Sequence, residues 1–299
     1  MQQPNVSIMA VFEAIVKLGE LTRANLAEVT GFSLMTVGKA IEKLSACGIV
    51  TEKKVGSGNV GRKTGVCTLT GSCGMILLDL TTDMPNARAV DIMNNTVGEY
   101  RTGEMCDLMA QCFCVLGDTG CGEIIGTACV LPDTDAVECT REASEILGGA
   151  PEVLVSSSRA WAFANSKRFT YSGMAIFCRV YADGTVNGAI MDGDRLYGGA
   201  HGNGGDISRL SATPGTLFEL LTVMYTLLDP ALIHIACEDE SMCMQIESGI
   251  EKLFCDLKVS PDCAPCAVVE PMSICRSDMD GAALLLREKY VLSKIPNNT

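Results

Sequence analysis

Residues 21–44 read LTRANLAEVTGFSLMTVGKAIEKL, and this stretch decides the fold expected for the start of the chain. Thr22 and Ser33 belong to the residue types that cap the first turn of a helix. Gly31 lies between them and suits the left-handed backbone conformation that ends a helix. The stretch therefore predicts two short helices joined by a tight turn.

Both predicted helices are amphipathic, because apolar residues recur every three or four positions and so share one face. In the first helix these inward residues are Leu26, Ala27 and Val29, and in the second they are Leu34, Val37, Ile41 and Leu44. The other face of the second helix has Met35, Thr36, Lys39 and Lys43. Such a pair of helices, the second with an exposed polar and basic face, is typical of a helix-turn-helix whose recognition helix enters the major groove of DNA.

The flanking sequence completes a small domain. Residues 5–18 have the apolar stripe of a further helix, which ends at Gly19. Residues 49–55 and 65–69 alternate like two strands of a hairpin, and the segment between them includes Gly61, Arg62 and Lys63. A basic hairpin tip of this kind is able to reach phosphates or the minor groove.

We therefore predict a winged helix-turn-helix domain over residues 1–70 that binds double-stranded DNA. Its expected DNA contacts are Arg23, Ser33, Met35, Thr36, Lys39, Lys43, Arg62 and Lys63.

The charge distribution agrees with this prediction once it is divided along the chain. The whole chain has a net charge of −13. Residues 1–70 hold 8 basic and 5 acidic residues, a net charge of +3, whereas the rest holds 15 basic and 31 acidic residues, a net charge of −16. A basic head on an acidic body suits a protein that presents one end to DNA. No apolar run is long enough to span a bilayer and no export signal is evident, so we expect a cytoplasmic protein without membrane contact.

The 16 cysteines do not indicate a metal site or a disulfide framework. They are scattered through apolar segments, which favours reduced core residues. The tightest spacings, Cys112–Cys114 and Cys263–Cys266, lack a matching second pair, and the chain has only two histidines, His201 and His234. We expect neither a metal nor a cofactor.

Several motifs resemble the ROK family, which is named for repressors, open reading frames and kinases. In the head the resemblance rests on residues 21–28, 30–33, 36–37 and 61–63. In the body it rests on DGDRLYGGAHGNGGDI at 192–207, LLDPALI at 227–233 and GAA at 281–283. The resemblance covers essentially the whole chain.

The resemblance implies an α/β protein in which the winged helix-turn-helix precedes a two-lobed, actin-like ATPase (sugar-kinase-like) domain. The first lobe would span residues 71–145 and be completed by a C-terminal helix at 278–299. The second lobe, residues 146–277, would provide dimerisation and a candidate effector pocket. Family kinases hold a hexose and ATP in the cleft between the lobes.

The motifs of a family kinase are eroded here. The first phosphate loop, Asp-x-Gly-Gly-Thr in the family, is Asp79-Leu80-Thr81-Thr82-Asp83, so both glycines are missing. The second, Gly-Thr-Gly, is Ala182-Asp183-Gly184, which introduces a carboxylate where phosphate charge would lie. The Gly-Gly near adenosine is replaced by Ala236-Cys237. These changes predict that ATP does not bind.

The catalytic and zinc motifs of the family are also altered. The Asn-Asp pair that contains the catalytic base aligns with Ser157-Ser158, and residues 155–165 contain no carboxylate, so we expect no base beside the serine and no kinase activity. Arg209 stands at the family's zinc-binding histidine and Asp206 at its glutamate, and the cysteine segment is missing, so no zinc is expected.

The remaining polar residues of the cleft form a candidate pocket for a carbohydrate-like effector: Ser157, Ser158, His201, Asp206 and Arg209. The alternative is that the glycine-rich loop around His201 only turns the chain and that its polar residues are caps. We expect His234 and Trp161 to be core residues.

The sequence thus predicts a DNA-binding transcription regulator, a repressor, with a non-catalytic body. Because one recognition helix contacts only a few base pairs, we expect a homodimer or a dimer of dimers. Two alternatives remain open. One is a sugar kinase with an atypical site, and the other is a protein-interaction module in which the lysines of the head are a solvated face.

Overall fold

The computed structural model describes residues 3–55, 64–101, 105–133, 140–141, 143–144, 147, 149–201, 204–208, 210 and 217–295. Within these ranges the chain forms a small N-terminal head followed by two lobes, each built on one five-stranded sheet. None of the described helices is both long and apolar enough to cross a membrane.

The head consists of three helices and a three-stranded sheet. Its elements are α1 (Gln3–Leu18), β1 (Leu21–Thr22), α2 (Arg23–Thr30), α3 (Leu34–Ala46), β2 (Val50–Val55) and β3 (Thr64–Leu69). The strands lie in the order β1-β3-β2 and all pair antiparallel. The hairpin of β2 and β3 agrees with the sequence pattern, whereas the two-residue strand β1 is too short to produce one.

The predicted helix caps of the head are confirmed. Thr22 Oγ1 accepts a hydrogen bond from the Asn25 N–H at 3.1 Å, and Ser33 Oγ accepts one from the Thr36 N–H at 3.2 Å. Gly31 has a φ of 71°, and its N–H donates to the Ala27 carbonyl at 2.9 Å. Each cap satisfies a backbone group that the helix leaves without a partner.

Two of the predicted inward residues of the head are exposed instead. Leu34 is 61% exposed and Val29 is 54% exposed. The buried face of α3 begins only at Val37, one turn after Leu34, and continues through Ala40, Ile41 and Leu44. The prediction was wrong because helical spacing gives the direction of an apolar stripe but not the turn at which the neighbouring helices stop covering it.

Within the described residues, the first lobe is built on five strands and a helix that packs against them. These are β4 (Cys73–Asp79), β5 (Asn86–Asp91), β6 (Thr96–Arg101), α4 (Met105–Asp118), β7 (Glu123–Leu131) and β8 (Val153–Ser156). Helix α5 (Ser157–Ser166) follows directly and leads to the second lobe. That lobe contains β9 (Met174–Val180), β10 (Val186–Asp192), β11 (Arg195–Leu196), α6 (Leu217–Leu228), β12 (Leu232–Cys237), α7 (Glu240–Asp256) and β13 (Cys266–Pro271), and helix α8 (Asp278–Lys294) ends the described chain.

The two lobes repeat one sheet topology. The first sheet has the order β6-β5-β4-β7-β8 and the second the order β11-β10-β9-β12-β13. In both sheets the first three strands of the lobe are antiparallel and the last two run parallel to the central strand. The expected α/β class is confirmed.

Helices α5 and α8 are exchanged between the lobes. Helix α5 follows the first sheet but packs on β9 and β10, whereas α8 follows the second sheet but packs on β4 and β7. The helices cross where Gly281 meets Ala160, and a Cβ atom at Gly281 would lie 1.8 Å from the Ala160 carbonyl oxygen. Only glycine allows this close approach of two backbones.

Helix α8 also contributes to the core of the head. The hydrophobic cluster that contains Phe12 and Leu44 extends to Ile92 of the first lobe and to Val291 and Ile295 at the end of α8. The head is therefore packed onto the body through buried apolar contacts.

Candidate nucleic-acid interface and inter-lobe cleft

The exposed face of α3 brings together five of the residues predicted to contact DNA. Met35 is 73% exposed, Lys39 is exposed, and Thr36 and Lys43 are half-buried. The Ser33 and Thr36 hydroxyl oxygens are 2.9 Å apart, so both belong to the cap of α3. A hollow of about 240 Å³ lies between this face and α1, and it is lined by Ser7, Ile8, Met35, Thr36, Lys39, Ala40 and Lys43.

Arg23, another predicted DNA contact, has a partner inside the head. Its Nη2 atom lies 2.9 Å from Oε2 of Glu52 and its Nε atom 3.2 Å from Oε1 of the same side chain. The guanidinium also covers Gly38 of α3, where a Cβ atom would lie 3.4 Å from Arg23 Nη1. Arg23 therefore links the start of α2 to β2 through an ion pair. Its side chain is 39% exposed. The predicted contacts Arg62 and Lys63 lie outside the described residues.

An acidic residue on α3 was not singled out from the sequence. Glu42 is exposed and follows Lys39 by three positions, so both side chains lie on the same face of the helix. Helical spacing alone was enough to place it there.

A buried network of charged and polar groups links the two lobes. Arg179 of β9 is 8% exposed, and its Nη1 atom lies 3.1 Å from Oδ1 of Asp278 at the start of α8. Its Nη2 atom donates to Ser157 Oγ at 2.8 Å and lies 4.0 Å from Oδ2 of Asp133. Ser157 Oγ in turn donates to the Asp278 carboxylate. Burial raises the pKa of Asp278, whereas the Arg179 guanidinium lowers it.

The same network corrects the expectation that Ser158 has no carboxylate beside it. Asp133, which follows β7, accepts hydrogen bonds from the Ser158 N–H at 2.9 Å and from Ser158 Oγ at 2.5 Å. The sequence window 155–165 missed this residue because it lies 25 positions earlier in the chain. A lone arginine in the apolar strand MAIFCRV was the available signal that buried carboxylates lie nearby.

In the two segments that align with phosphate loops, polar groups form hydrogen bonds within the protein. Asp79 Oδ1 accepts from the Thr81 N–H at 2.9 Å and from Thr81 Oγ1 at 2.6 Å. The Ala182 N–H donates to Glu238 Oε2 at 2.7 Å, so a carboxylate lies where a phosphate loop would present a free donor. Backbone and side-chain hydrogen bonds from Thr185 lower the pKa of Asp183 and keep a negative charge in this turn.

The candidate effector residues occupy different environments. Ser157 and Ser158 are buried at the start of α5 and bonded to Asp278 and Asp133. His201 is exposed on the glycine-rich loop. Asp206 accepts a hydrogen bond from the Ser208 N–H at 3.1 Å, and Arg209 lies outside the described residues.

The second histidine belongs to a buried cluster between α5 and the sheet of the second lobe. His234 is fully buried and stacks on Trp161, with 5.5 Å between the ring centroids. Its Nε2 atom lies 2.8 Å from Oε1 of Glu270. His234, Glu270 and Cys275 are close enough to hold a metal ion. However, Arg168 forms a two-pronged ion pair with Glu270, so the positive charge that balances this carboxylate is already supplied by the protein.

Comparison with known proteins relates the fold to two solved structures. No protein-family model and no curated protein sequence matches this chain. The chain aligns over 99% of its length with 99% of a ROK family transcriptional regulator, a homologue of the Escherichia coli Mlc protein, with a TM-score of 0.64 and 12% identity. It covers 97% of a ROK hexokinase from Thermus thermophilus with 71% of its own length, a TM-score of 0.51 and 12% identity. The body therefore has the two-lobed, actin-like fold of these proteins, and the likeness to the regulator extends over the head.

Proposed function

We propose that this chain is a ROK-type transcription regulator, a repressor that binds double-stranded DNA through its head. The observation that supports this most directly is the exposed face of α3, where Met35, Thr36, Lys39 and Lys43 lie together on the second helix of a tight helical pair. In this proposal α3 is the recognition helix and the hairpin of β2 and β3 is the wing. Arg62 and Lys63, between the two strands, would contact the DNA backbone or minor groove.

The body, in this proposal, holds two heads in register and performs no phosphoryl transfer. A homodimer, or a dimer of dimers, would place two recognition helices about 34 Å apart, one turn of B-DNA, or a multiple of that. A carbohydrate-like effector would bind near Ser157, Ser158, His201, Asp206 and Arg209 and change the spacing of the heads.

The internal pairing of the cleft supports a non-catalytic body. A kinase needs a carboxylate that is free to take a proton from the substrate hydroxyl. The Asp133 carboxylate already accepts two hydrogen bonds from Ser158 and lies 4.0 Å from the Arg179 guanidinium. Both contacts occupy the carboxylate oxygens that a substrate hydroxyl would need.

Selection of bound sequences from a random duplex library tests the proposal. The full-length chain should enrich a palindromic sequence, and its affinity should fall steeply with salt because phosphate contacts release counterions. The variant K39E/K43E should lose this binding, whereas K252E/K258E, two exposed lysines of the body, should retain it. An absence of both enrichment and salt-dependent binding would contradict DNA binding and favour a protein-interaction module.

A separate assay tests the kinase alternative. Incubation with ATP and a panel of hexoses should give no sugar phosphate. Turnover that disappears in the variant Asp79→Ala would show instead that the altered phosphate loop is catalytic.

A further inference from the structure

We propose that the first turn of α3 reads thymine methyl groups, so that the operator has thymines at the base pairs that face Leu34 and Met35. This inference rests on the proposed function and adds to it the chemical feature of the base edges that is recognised.

The first turn of α3 exposes apolar side chains to solvent, where they do not stabilise the fold. Leu34 and Met35 are 61% and 73% exposed, and they are the first two residues of the helix. Val29, on the other side of the tight turn, is 54% exposed. Single exposed apolar residues are common, but two consecutive ones at the start of one helix form a small apolar patch that a partner would cover.

The position of this patch matches the part of a recognition helix that meets the bases. In a helix-turn-helix the N-terminal residues of the second helix contact base edges, whereas more distant residues contact the backbone. Lys39 and Lys43 lie one and two turns further along the same helix, and no acidic residue precedes Lys39 on it. The apolar patch is thus followed by positive charge, which is complementary to a groove edged by phosphates.

The chemistry of the patch limits what it is able to read. Leu34 and Met35 have no hydrogen-bond donor, and the thioether of Met35 is at most a weak acceptor. The hydroxyl of Thr36, the next residue, is hydrogen-bonded to the Ser33 hydroxyl in the helix cap. Among the base edges in the major groove, the C5-methyl of thymine is the apolar group, so apolar side chains distinguish thymine there. The flexible side chain of Met35 adapts to such a group, and Ile8 and Ala40 line the same hollow beside it.

The test removes only the methyl group. Once an operator has been selected by the full-length chain, each thymidine is replaced in turn by deoxyuridine, which pairs with adenine in the same way. Burial of one methyl group corresponds to about a fourfold change in affinity, so at least one position in each half-site should weaken by about that factor. In the variants Leu34→Ala and Met35→Ala the same replacement should change affinity less than about twofold.

A matched control is available in the body. Met244 of α7 is 64% exposed and far from the head in sequence, so Met244→Ala should keep the full sensitivity to deoxyuridine. Because Leu34 and Met35 are exposed, their substitution should leave the unfolding midpoint unchanged, which separates loss of recognition from loss of folding.

The outcomes distinguish the two levels of the proposal. A selected operator whose binding is insensitive to every deoxyuridine, or a Met35→Ala variant that is as methyl-sensitive as the native chain, overturns the thymine inference and leaves DNA binding intact. If no sequence is selected and the patch instead mediates association with a second protein, the proposed function itself fails.

Discussion

Arg287, in the middle of the C-terminal helix α8, pairs with Glu13 of the first helix α1 at 2.9 Å between Nη2 and Oε2. The two residues are 274 positions apart, and Arg287 also donates to the Ile92 carbonyl at 2.7 Å. The first turn of the same helix contains Asp278, which pairs with Arg179 in the cleft. One rigid helix therefore connects the charged network between the lobes with the head.

Removal of one partner of this pair should be costly, and the two partners should differ. The Arg287 side chain is 6% exposed and remains charged, whereas Glu13 is 35% exposed, and burial raises its pKa so that it accepts a proton more easily. We expect Glu13→Gln, which leaves the buried guanidinium without its counterion, to lower the free energy of unfolding by about 2–3 kcal/mol. Arg287→Met should cost less. Urea unfolding of both variants measures the difference.

An exposed ion pair on the same helix provides the control. Lys294 lies 3.3 Å from Glu123, and their side chains are 42% and 48% exposed. Lys294→Met should change the free energy of unfolding by less than about 1 kcal/mol, because solvent screens the pair. Equal effects of Glu13→Gln and Lys294→Met would show that the junction between head and body does not depend on the buried pair.

Lowering the pH should reduce the free energy of unfolding, in part because Glu270 becomes protonated. Burial raises the pKa of this carboxyl, but hydrogen bonds from Arg168, His234 and Cys275 outweigh it and lower the pKa to about 2. The charged form is thus favoured in the folded state, so its contribution is fully present above pH 4.5 and is lost as pH falls towards 2. At neutral pH the charged form of Glu270, whose side chain is 12% exposed, contributes roughly 3 kcal/mol to the free energy of unfolding.

The variant Glu270→Gln separates this contribution from the other carboxylates. Its deficit in free energy of unfolding relative to the native chain should be greatest at pH 7 and should shrink as the pH is lowered to 3.5. A deficit that stays constant over this range would mean that the loss comes from packing rather than from the charge of Glu270.

What the sequence predicted correctly is local. Thr22, Gly31 and Ser33 act on backbone groups three or four residues away, so their residue types are sufficient evidence for the caps. The burial of Leu34 is not local in this sense, because it depends on where α1 ends its contact with α3. A pattern of residues gives no measure of that distance, and the predicted inward face was wrong there.

The cleft shows the same limit at longer range. Ser157 and Ser158 were singled out by their place in a motif, but their partners Asp133, Arg179 and Asp278 come from three other segments of the chain. Their approach follows from the exchange of α5 and α8 between the lobes. Side chains that meet through such an exchange share no spacing in the sequence.

Glu42 should oppose non-specific binding in the proposed interface. Its carboxylate lies on the same face of α3 as Lys39, where phosphates would approach. We expect Glu42→Gln to tighten binding to random-sequence duplex by about two- to fivefold at low salt, and the gain should vanish at high salt, where the repulsion is screened. Glu247→Gln, at an exposed position of α7, should change nothing.

The opposite result would be equally specific. A carboxylate accepts a hydrogen bond from the N4 amino group of cytosine in the major groove. If Glu42→Gln weakened binding only to operators with cytosine at one position, Glu42 would be a base contact rather than a source of repulsion.

The crossing of α5 and α8 should tolerate no side chain at Gly281. A Cβ atom there would lie 1.8 Å from a backbone oxygen of Ala160, so the helices would have to separate. We expect Gly281→Ala to lower the free energy of unfolding by about 2 kcal/mol or more, although alanine favours helix formation. Gly117→Ala in α4 is the matched control, since nothing lies within 4 Å of its Cβ position, and it should raise the free energy of unfolding by up to about 1 kcal/mol.

The single tryptophan reports on the same crossing directly. Trp161 follows Ala160 in α5, is 3% exposed and stacks on His234. If Gly281→Ala pushes α5 away from α8, the fluorescence of Trp161 should shift as its packing loosens, whereas Gly117→Ala should leave the spectrum unchanged. A destabilised Gly281→Ala variant with a native Trp161 spectrum would place the strain in α8 rather than in α5. In that case the cleft network around Ser157 would remain intact, and the crossing would not couple the start of α8 to the position of α5.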